Sequence, residues 1–400
     1  MTRNRGVQEH SREIVVVGAG AAGLASAAEL RRRGLSVTVL EQSMIAASWR
    51  GRYDRLRLNS SRPFSKLPGS RYARGTGMFP SRDQMIGYLE GYAARERLDI
   101  RCGVSVQRID REEGGWVLRT SNGDVRADEV IVAAGYAHTP YVPAWPGRDR
   151  FRGTLIHAAD YRNADGFRGR DVMVVGSGCS GAEIAHELAA NGAARVRLAV
   201  RTPPNIILRN PIGPLLARAM RRLLPVHRAD AVLRFVALRE IGDLSEYGLP
   251  APEEGVFSRL ARLGVAPTIV DPEVIDSIKE RRIEIVPGVV SLDETGVTLA
   301  DGARITTDAL IAATGYRCAL EPMVGHLGVL NERGMPRGVE REAAPGLRFI
   351  GYVPRPAHIG YMGGEAKRAA RTIARARPPA RSIPRAPGLR PVRPTPRPGR

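Results

Sequence analysis

The sequence predicts an α/β protein in which a strand–turn–helix–strand unit occurs twice, with the second copy inserted in the first. A chain of 400 residues is too long for one ordinary hydrophobic core, so two domains are expected. In the first copy, β-branched runs at residues 13–17 and 35–40 flank an alanine-rich helical stretch at 23–33. The same order returns at residues 171–175 and continues to a strand-like run at 196–200.

The composition is typical of a globular protein, and basic residues clearly outnumber acidic ones. There are 61 Lys and Arg residues against 41 Asp and Glu, which gives a formal charge of +20. Only three of the basic residues are lysines, and a surplus of Arg, Ala, Gly and Pro is typical of a GC-rich genome. Because seven of the arginines fall in the last 24 residues, the charge alone does not indicate nucleic-acid binding, and we expect no nucleic acid partner.

Cysteine usage and hydropathy indicate a cytoplasmic chain without a membrane span. Cys102, Cys179 and Cys318 are far apart and odd in number, which predicts neither a disulfide framework nor a metal site. They also exclude a disulfide reductase that works through a cysteine pair. Residues 14–30 resemble a signal-peptide core, but their glycines favour a soluble motif. No other stretch approaches the roughly 18 apolar residues of a transmembrane helix.

A glycine motif follows the first predicted strand. Gly18, Gly20 and Gly23 form the pattern G-x-G-x-x-G around Ala22, which provides a tight turn, close approach of backbone to a pyrophosphate, and helix packing. The N-terminus of the next helix offers free N–H groups to phosphates. Glu41 ends the following strand, where a carboxylate can accept hydrogen bonds from ribose hydroxyls. Strand, turn, helix and acid together predict a Rossmann-like dinucleotide site.

The second copy repeats the motif with the opposite charge at the strand end. Gly176, Gly178 and Gly181 each stand 158 residues after their counterparts. The following strand ends at Arg201, near the place that Glu41 holds in the first copy. A carboxylate repels a 2′-phosphate, whereas a guanidinium pairs with one. The two sites are therefore predicted to hold different dinucleotides, FAD at the first and NADPH at the second.

Two regions depart from the repeated pattern. Residues 215–238 mix apolar side chains with arginines, and two interpretations are open: an amphipathic helix with weak contact to a membrane surface, or helices that cover a cleft. The last 24 residues hold eight prolines and no acid, which predicts a disordered tail. The predicted boundaries are 1–145 and 301–376 for the FAD-binding domain, 146–300 for the NADPH-binding domain with a helical insert at about 202–272, and 377–400 for the tail.

A fingerprint lies just ahead of the second glycine motif. Phe151, Gly153, His157 and Tyr161 are spaced as F-x-G-x-x-x-H-x-x-x-Y. This spacing resembles the F-x-G-x-x-x-H-x-x-x-[FYW] fingerprint of the class B flavoprotein monooxygenases. The final tyrosine is similar to the flavin-containing branch, whereas Baeyer–Villiger enzymes usually carry Trp there, followed by Pro or Asp, and here Arg162 follows.

Further matches extend the resemblance over residues 13–376. Trp49 and residues 53–58 resemble the stretch after the first unit in bacterial flavin monooxygenases and in the plant YUCCA-type indole-3-pyruvate monooxygenases. Residues 312–316 resemble a strand end near the domain junction, and residues 346–352 resemble the strand that returns to the flavin.

The resemblance implies roles for the matching residues. Asn59 matches the asparagine that flavin-containing monooxygenases place near flavin C4a and that the YUCCA group usually lacks, which favours heteroatom oxygenation over decarboxylation of an indole pyruvate. His157 lies at the linker between the domains, where it either positions them or acts in the chemistry. Asn59 is implied to be the catalytic residue. The residues implied to bind the cofactors are Gly18, Gly20, Ala22, Gly23, Glu41, Trp49, Val106, Gly135, Gly176, Gly178, Gly181, Arg201, Thr314, Gly315 and Gly351.

The implied activity is that of an NADPH- and FAD-dependent monooxygenase. NADPH reduces FAD, the reduced flavin reacts with O₂ to form a C4a-(hydro)peroxide, and one oxygen atom passes to a small organic substrate. The substrate is an N- or S-heteroatom compound, a carbonyl compound or a 2-oxo acid. Two alternatives are open: a flavin-dependent NADPH reductase for a protein or quinone acceptor, and a non-enzymatic dinucleotide-binding redox sensor. No motif indicates the substrate or the oligomeric state.

Overall fold

The computed structural model describes residues 13–264, 268–338, 341–353, 355 and 357–376. The tail predicted to be disordered, residues 377–400, lies outside these residues. Up to residue 170 the elements are β1 (Ile14–Val17), α1 (Ala21–Arg31), β2 (Thr38–Glu41), α2 (Ala47–Arg50), α3 (Arg82–Arg95), β3 (Asp99–Cys102), β4 (Val106–Glu112), β5 (Gly115–Thr120), β6 (Gly123–Ala127), β7 (Glu129–Val132), β8 (Thr139–Pro140) and β9 (Thr154–His157).

The rest of the described chain begins with the second strand–turn–helix unit. Its elements are β10 (Asp171–Val175), α4 (Cys179–Ala190), β11 (Arg195–Val200), β12 (Asn205–Ile206), α5 (Gly213–Leu223), α6 (Val226–Ile241), α7 (Val256–Leu263), β13 (Thr268–Ile269), α8 (Pro272–Lys279), β14 (Glu284–Pro287), β15 (Val289–Leu292), β16 (Gly296–Leu299), β17 (Arg304–Thr306), β18 (Ala309–Ala312), β19 (Tyr316–Arg317), α9 (Glu321–Val324), β20 (Glu342–Ala344), β21 (Leu347–Phe349) and α10 (His358–Ala376).

Two sheets carry the fold, and each contains one of the predicted glycine units. The first sheet has the order β20-β21-β7-β1-β2-β3, and its strands are parallel except at the β20–β21 edge. The second has the order β14-β11-β10-β18-β9 and is parallel throughout. The predicted α/β fold with two Rossmann-like units is confirmed.

The β-branched strands form because both faces of each sheet are covered. In β1, Ile14 and Val16 enter a core beneath α1, α3 and α10, while Val15 enters a second core beneath the antiparallel strands β4–β6. In β10, Val172 packs on the helical side and Met173 on the side of the antiparallel strands β15–β17. Alternate side chains of a strand point to opposite faces, so a doubly covered strand is apolar throughout.

The two connections between the units run side by side. The chain leaves the first unit through β8 and comes back through β19, and these two strands pair antiparallel. The sequence placed the return to the first unit at residue 301. In the structure β18 lies between β10 and β9 in the second sheet, so the chain stays in the second unit through residue 312. The apolar run of β18 alone gave no sign of which sheet it would join.

The insert at residues 202–272 consists mainly of helices. Asp230 on α6 accepts hydrogen bonds from the backbone N–H groups of Phe257 (2.8 Å) and Ser258 (3.0 Å), which ties α6 to the first turn of α7. Strands β12 and β13 form a short parallel pair that borders these helices. Among the described residues, no helix is long and apolar enough to cross a membrane.

Replacing Gly181 with alanine tests how closely α4 approaches its glycine turn. A Cβ atom there would lie 1.8 Å from the Gly176 carbonyl oxygen, so the backbone must shift, at a cost of roughly 1–3 kcal/mol. We expect Gly181→Ala to lower the melting temperature of the FAD-loaded protein. The control is Gly87→Ala in α3, where a Cβ meets nothing within 4 Å and should stabilise by about 0.5–1 kcal/mol. Equal melting temperatures for both variants would contradict the close approach.

Candidate active site

A cavity of about 1750 Å³ lies between the two sheets. Val17 and Val175, the last residues of β1 and β10, line it beside the two glycine turns. Ligands of open α/β sheets bind in the crevice beyond the carboxyl ends of the parallel strands. A pocket for one drug-sized ligand measures roughly 300–1,000 Å³, so this cavity has room for more than one ligand.

Most of the residues predicted to bind the cofactors come together around this cavity. Gly23 and Gly181 instead pack beneath their turns, and the fingerprint residues lie outside the lining. The predicted residues that line the cavity are Gly18, Gly20, Ala22, Glu41, Trp49, Asn59, Val106, Gly135, Gly176, Gly178, Arg201, Thr314, Gly315 and Gly351.

The first glycine turn presents bare backbone to the cavity. Gly18 has φ of +102°, and a Cβ there would lie 2.7 Å from the Ala133 carbonyl oxygen. A Cβ at Gly23 would lie 1.8 Å from the carbonyl oxygen of Gly18, whereas one at Gly20 would meet nothing within 4 Å. The open space beside Gly20 and the start of α1 together fit a pyrophosphate, which needs close backbone N–H donors.

Glu41 is fixed at the rim of this turn. Its Oε2 accepts a hydrogen bond from the Ala19 N–H at 2.7 Å, and its Oε1 accepts one from the Ser43 N–H at 2.9 Å. The buried carboxylate therefore keeps one orientation at the end of β2, beside the glycine turn and lining the cavity. This arrangement fits the ribose of a dinucleotide that lacks a 2′-phosphate.

The second turn repeats the construction on β10 and α4. Gly176 has φ of +110°, and a Cβ there would lie 2.5 Å from the Ala313 carbonyl oxygen. Arg201 follows β11, lines the same cavity and is exposed. No described residue forms a hydrogen bond or ion pair with its guanidinium. An exposed guanidinium of this kind fits a 2′-phosphate, because both of its planar donor edges stay available.

Three further strand ends border the cavity. Gly135 follows β7, Thr314 and Gly315 follow β18, and Gly351 follows β21. The Thr314 hydroxyl donates a hydrogen bond to the Tyr141 carbonyl, which holds the connection after β8 against the end of β18. All four predicted positions thus lie at the carboxyl edge of parallel strands, and their contact with a cofactor stays a prediction.

His358 is a cavity residue that the sequence analysis missed. It is the first residue of α10, its ring meets that of Tyr136 edge-on at 5.3 Å, and both side chains line the cavity. Both ring nitrogens are buried and form no well-aligned hydrogen bond with the described residues, although the backbones of Gly351 and Val353 lie close to the ring. Burial lowers the pKa of His358 to about 4. Buried polar atoms of this kind beside Gly351 fit a bound group that carries hydrogen-bonding atoms of its own.

Asn59 reaches across the cavity to the second unit. Its Nδ2 donates a hydrogen bond to the Cys179 sulfur at 3.2 Å, next to the second glycine turn. Six residues earlier, the buried Tyr53 hydroxyl donates to Glu183 Oε2 on α4 at 2.8 Å. Residues 53–59 therefore belong to the first unit in sequence but are positioned by the second. Burial raises the pKa of the Cys179 thiol, so the thiol stays protonated and inert.

A buried charge network fixes this segment. Arg209 donates to Glu183 at 2.5 Å and to Asp271 at 3.0 Å, and Arg55 lies 3.4 Å from the same Asp271 carboxylate. Buried charges are tolerated when each is paired and hydrogen-bonded. The members lie on separate helices and loops, so no local sequence pattern could have revealed them.

The fingerprint histidine holds the connection between the units. His157 Nδ1 accepts a hydrogen bond from the Ala159 N–H at 3.0 Å, which places the ring proton on Nε2 for donation to the Gly315 carbonyl at 3.0 Å. Its ring also meets Tyr316 on β19 edge-on. Burial lowers the pKa of His157, so the ring stays neutral. These contacts favour positioning over direct chemistry.

The other fingerprint residues also pack rather than face the cavity. A Cβ at Gly153 would lie 2.5 Å from the Phe151 ring, so that ring packs directly over the start of β9. The buried Tyr161 hydroxyl donates to Glu187 on α4 at 3.1 Å. The fingerprint thus joins β9 and the chain after it to the helix of the second glycine unit.

The chain is similar in sequence to known monooxygenases. Residues 15–223 match the family model described as pyridine nucleotide-disulphide oxidoreductase. Indole-3-pyruvate monooxygenase YUCCA1 of Oryza sativa subsp. japonica is 34% identical over 356 residues, covering 85% of this chain and 86% of the relative. Probable indole-3-pyruvate monooxygenase YUCCA8 of Arabidopsis thaliana is 32% identical over 340 residues, covering 81% and 79%.

Solved monooxygenase structures share the fold. A flavin-containing monooxygenase from Stenotrophomonas maltophilia has a TM-score of 0.69 at 23% identity, covering 91% of this chain and 99% of that one. An oxidized steroid monooxygenase bound to NADP has a TM-score of 0.69 at 21% identity, covering 91% and 85%. At these identities the likeness concerns the fold alone.

Arg201→Ala tests the predicted recognition of the 2′-phosphate. Loss of a charge-assisted contact costs about 1.5–3 kcal/mol, so the KM for NADPH should rise about ten- to hundredfold. The KM for NADH should barely change, because NADH carries no 2′-phosphate. Steady-state oxidation of both nucleotides provides the measurement, with Arg195→Ala on the same strand as the control. Equal losses for NADPH and NADH would contradict the assignment.

Asn59→Leu tests whether the Asn59 amide acts on oxygen. The variant should keep bound FAD and its reduction by NADPH but release hydrogen peroxide instead of oxygenated product. The physical reason is the loss of a polar contact worth about 1–3 kcal/mol. The control Cys179→Ala removes only the sulfur partner of Asn59 and should stay coupled. An Asn59→Leu variant that stays coupled would contradict a role of the amide in the oxygen chemistry, and equal uncoupling in both variants would show that the amide serves the sulfur contact alone.

His358 should make the protein less stable in mild acid. Its folded-state pKa of about 4 lies below the ordinary 6.5, so between these values the unfolded chain binds a proton that the folded chain does not. Stability is therefore lost as pH falls, by about 2 kcal/mol at pH 5. The drop in melting temperature from pH 7 to pH 5 should be smaller in His358→Gln than in the wild type. The exposed-residue control His138→Gln should match the wild type, and equal drops in all three would refute the effect.

Proposed function

Since the chain belongs to the flavin-dependent monooxygenases of the pyridine nucleotide-disulphide oxidoreductase family, we propose that its substrate is a small 2-oxo acid with an apolar body. The predicted NADPH- and FAD-dependent monooxygenase activity is confirmed, and neither the reductase nor the redox-sensor alternative is favoured. Indole-3-pyruvate, which the names of the curated relatives state as substrate, is a 2-oxo acid of this kind.

The observation that carries this proposal is the free guanidinium of Arg57. Arg57 lines the cavity two residues before Asn59, and no described residue pairs with its side chain. Its neighbours are engaged: Arg52 donates to the Tyr316 hydroxyl, and Arg55 pairs with Glu273 at 2.8 Å. A planar guanidinium binds a carboxylate through two parallel hydrogen bonds. Arg57 is therefore suited to hold the carboxylate of an acidic substrate.

Part of the cavity lining suits an apolar body. Leu216 and Met220 on α5, Leu233 and Val236 on α6, and Leu260 on α7 line it. Binding pockets for small molecules combine such apolar walls with a few placed polar groups. The helical insert thus covers the cleft, which was one of the two interpretations of residues 215–238.

The Asn59 amide can donate a hydrogen bond to the atoms that react. Its amide donates to the Cys179 sulfur, and sulfur is a weak acceptor. Exchanging that bond for one to an oxygen atom of the substrate or of bound O₂ therefore costs little. Because Arg57 and Asn59 lie two residues apart and both line the cavity, a carboxylate at Arg57 leaves the adjacent carbonyl on the Asn59 side of the cavity.

Reduced FAD supplies the activation of O₂. The residues of the chain orient the substrate by its carboxylate, surround its body with apolar side chains and keep bulk water out. The overall reaction balances as 2-oxo acid, O₂, NADPH and a proton giving the acid shortened by one carbon, CO₂, NADP⁺ and water. One oxygen atom of O₂ enters the shortened acid and the other leaves as water.

A second candidate is oxygenation of a nitrogen or sulfur atom. The presence of Asn59, which the sequence pattern associates with the heteroatom-oxygenating branch, favours it. Arg57 is exposed, and a neutral amine or sulfide would make no use of its guanidinium. For that reason the 2-oxo acid is preferred.

A matched set of compounds distinguishes the two candidates. The set comprises phenylpyruvate and indole-3-pyruvate, phenyllactate as the same acid without the 2-oxo group, phenylacetone as a ketone without the carboxylate, and methyl phenyl sulfide. The proposal is supported if only phenylpyruvate and indole-3-pyruvate give NADPH oxidation that is coupled to release of CO₂ and of the shortened acid. Sulfoxide formation with no turnover of either 2-oxo acid would establish the second candidate.

Arg57→Leu tests the carboxylate contact directly. We expect the KM for the 2-oxo acid to rise about ten- to hundredfold, the loss of one charge-assisted pair, while FAD reduction by NADPH stays unchanged. The control is Arg74→Leu, because Arg74 is an exposed arginine outside the cavity lining. An unchanged KM in Arg57→Leu would remove the basis for choosing an acidic substrate.

A further inference from the structure

The outer face of the α5–α6 hairpin exposes large apolar side chains. Leu223 is 77% exposed and Phe235 is 65% exposed, and α5 contains no buried residue along its whole length. Exposed apolar residues are normal when scattered singly, but a cluster of them marks an interaction surface. The apolar residues of this hairpin that are exposed and do not line the cavity are Ile212, Leu215, Leu223, Val226, Phe235 and Leu238.

Arginines surround this apolar cluster, and none of them is paired within the described part of the chain. They are Arg218, Arg221, Arg222, Arg228, Arg234 and Arg239, all exposed. On β4–β6, by contrast, the exposed Arg108 pairs with Asp110, and Arg119 pairs with Asp110, Glu112 and Asp124. The hairpin therefore gathers six unpaired guanidinium groups between residues 218 and 239.

The acidic residues of the hairpin do not offset this charge. Asp230 is buried and accepts the N–H groups of Phe257 and Ser258 at the start of α7. Glu240 lines the cavity and is exposed, so it is the one carboxylate of the hairpin that solvent reaches. The six exposed guanidinium groups of the hairpin thus face one exposed carboxylate, and six exposed apolar side chains accompany them.

We propose that this face, formed by the six apolar residues and six arginines named above, docks on an anionic lipid surface. Helices that lie in a membrane interface combine apolar side chains, which enter the headgroup boundary, with arginines that pair with lipid phosphates. The inner sides of the same helices cover the cavity. Both interpretations of residues 215–238 are then compatible, because the residues that line the cavity and those of the proposed lipid-binding surface are different.

Charge and polarity disfavour three other partners for this surface: a second copy of the chain, the C-terminal tail and a nucleic acid. A second copy of the chain would bring two sets of six arginines together, and like charges repel. The C-terminal residues 377–400 hold seven arginines and no acid, so they are repelled for the same reason. A nucleic acid would neutralise the arginines but leave Leu223 and Phe235 in water, whereas a lipid surface satisfies both kinds of side chain.

Vesicle cosedimentation of the full-length, FAD-loaded protein tests the proposal. Vesicles of equal parts phosphatidylglycerol and phosphatidylcholine are compared with phosphatidylcholine alone, at low and high salt. We expect binding to the anionic vesicles only, reversed by high salt. Arg221→Glu/Arg222→Glu should weaken binding more than about tenfold, since each basic residue near an anionic surface contributes about a factor of five. Leu223→Ser/Phe235→Ser should also weaken it, by at least about tenfold.

The control variants carry the same changes elsewhere on the surface. Arg74→Glu/Arg101→Glu replaces two exposed arginines, and Met78→Ser/Val290→Ser replaces two exposed apolar residues. None of the substituted hairpin residues lines the cavity, so all variants should keep the FAD content and NADPH oxidation rate of the wild type. Absence of binding to anionic vesicles overturns the proposal. The proposal is also overturned if both hairpin variants still bind the anionic vesicles, because the contact then lies elsewhere on the basic chain.

Discussion

Both dinucleotide sites depend on one backbone contact, in which a helix crosses its glycine turn so closely that no side chain fits between them. A Cβ at Gly23 or at Gly181 would lie 1.8 Å from the carbonyl oxygen of the turn, at Gly18 and Gly176 respectively. The contact brings the N-terminus of α1 or α4 to the carboxyl edge of its sheet, where free N–H groups meet phosphate. Two copies of this contact border one cavity, so a dinucleotide bound at each turn would reach into the same space.

The active site also requires that the two units keep a fixed orientation relative to each other. Three kinds of contact provide it: the paired connections β8 and β19, the fingerprint strand β9 in the second sheet, and residues 53–59 held by α4. The segment at 53–59 carries Arg57 and Asn59, so the groups proposed to handle substrate are placed by contacts to the cofactor unit opposite. A change in the buried Tyr53–Glu183 contact would therefore alter the reacting geometry without touching either cofactor site.

The sequence predicted the parts of the fold and site that local patterns encode. Glycine spacing and the residue ending each strand located both turns, Glu41 and Arg201, because these features depend on a few adjacent residues. The end of the second unit was placed too early, since an apolar strand such as β18 pairs in either sheet equally well on local grounds. His358 and the Arg209 charge network came only from the structure, because their partners are distant in sequence.

The central claim is that this chain uses NADPH and FAD to place one oxygen atom of O₂ in a small organic acid. The most direct measurement is turnover of phenylpyruvate by the FAD-loaded protein with NADPH under ¹⁸O₂, followed by mass spectrometry of the shortened acid. The claim predicts one ¹⁸O atom in each product molecule and one NADPH consumed for each. Unlabelled product, or NADPH consumption with hydrogen peroxide as the sole outcome for every compound of the matched set, would contradict it.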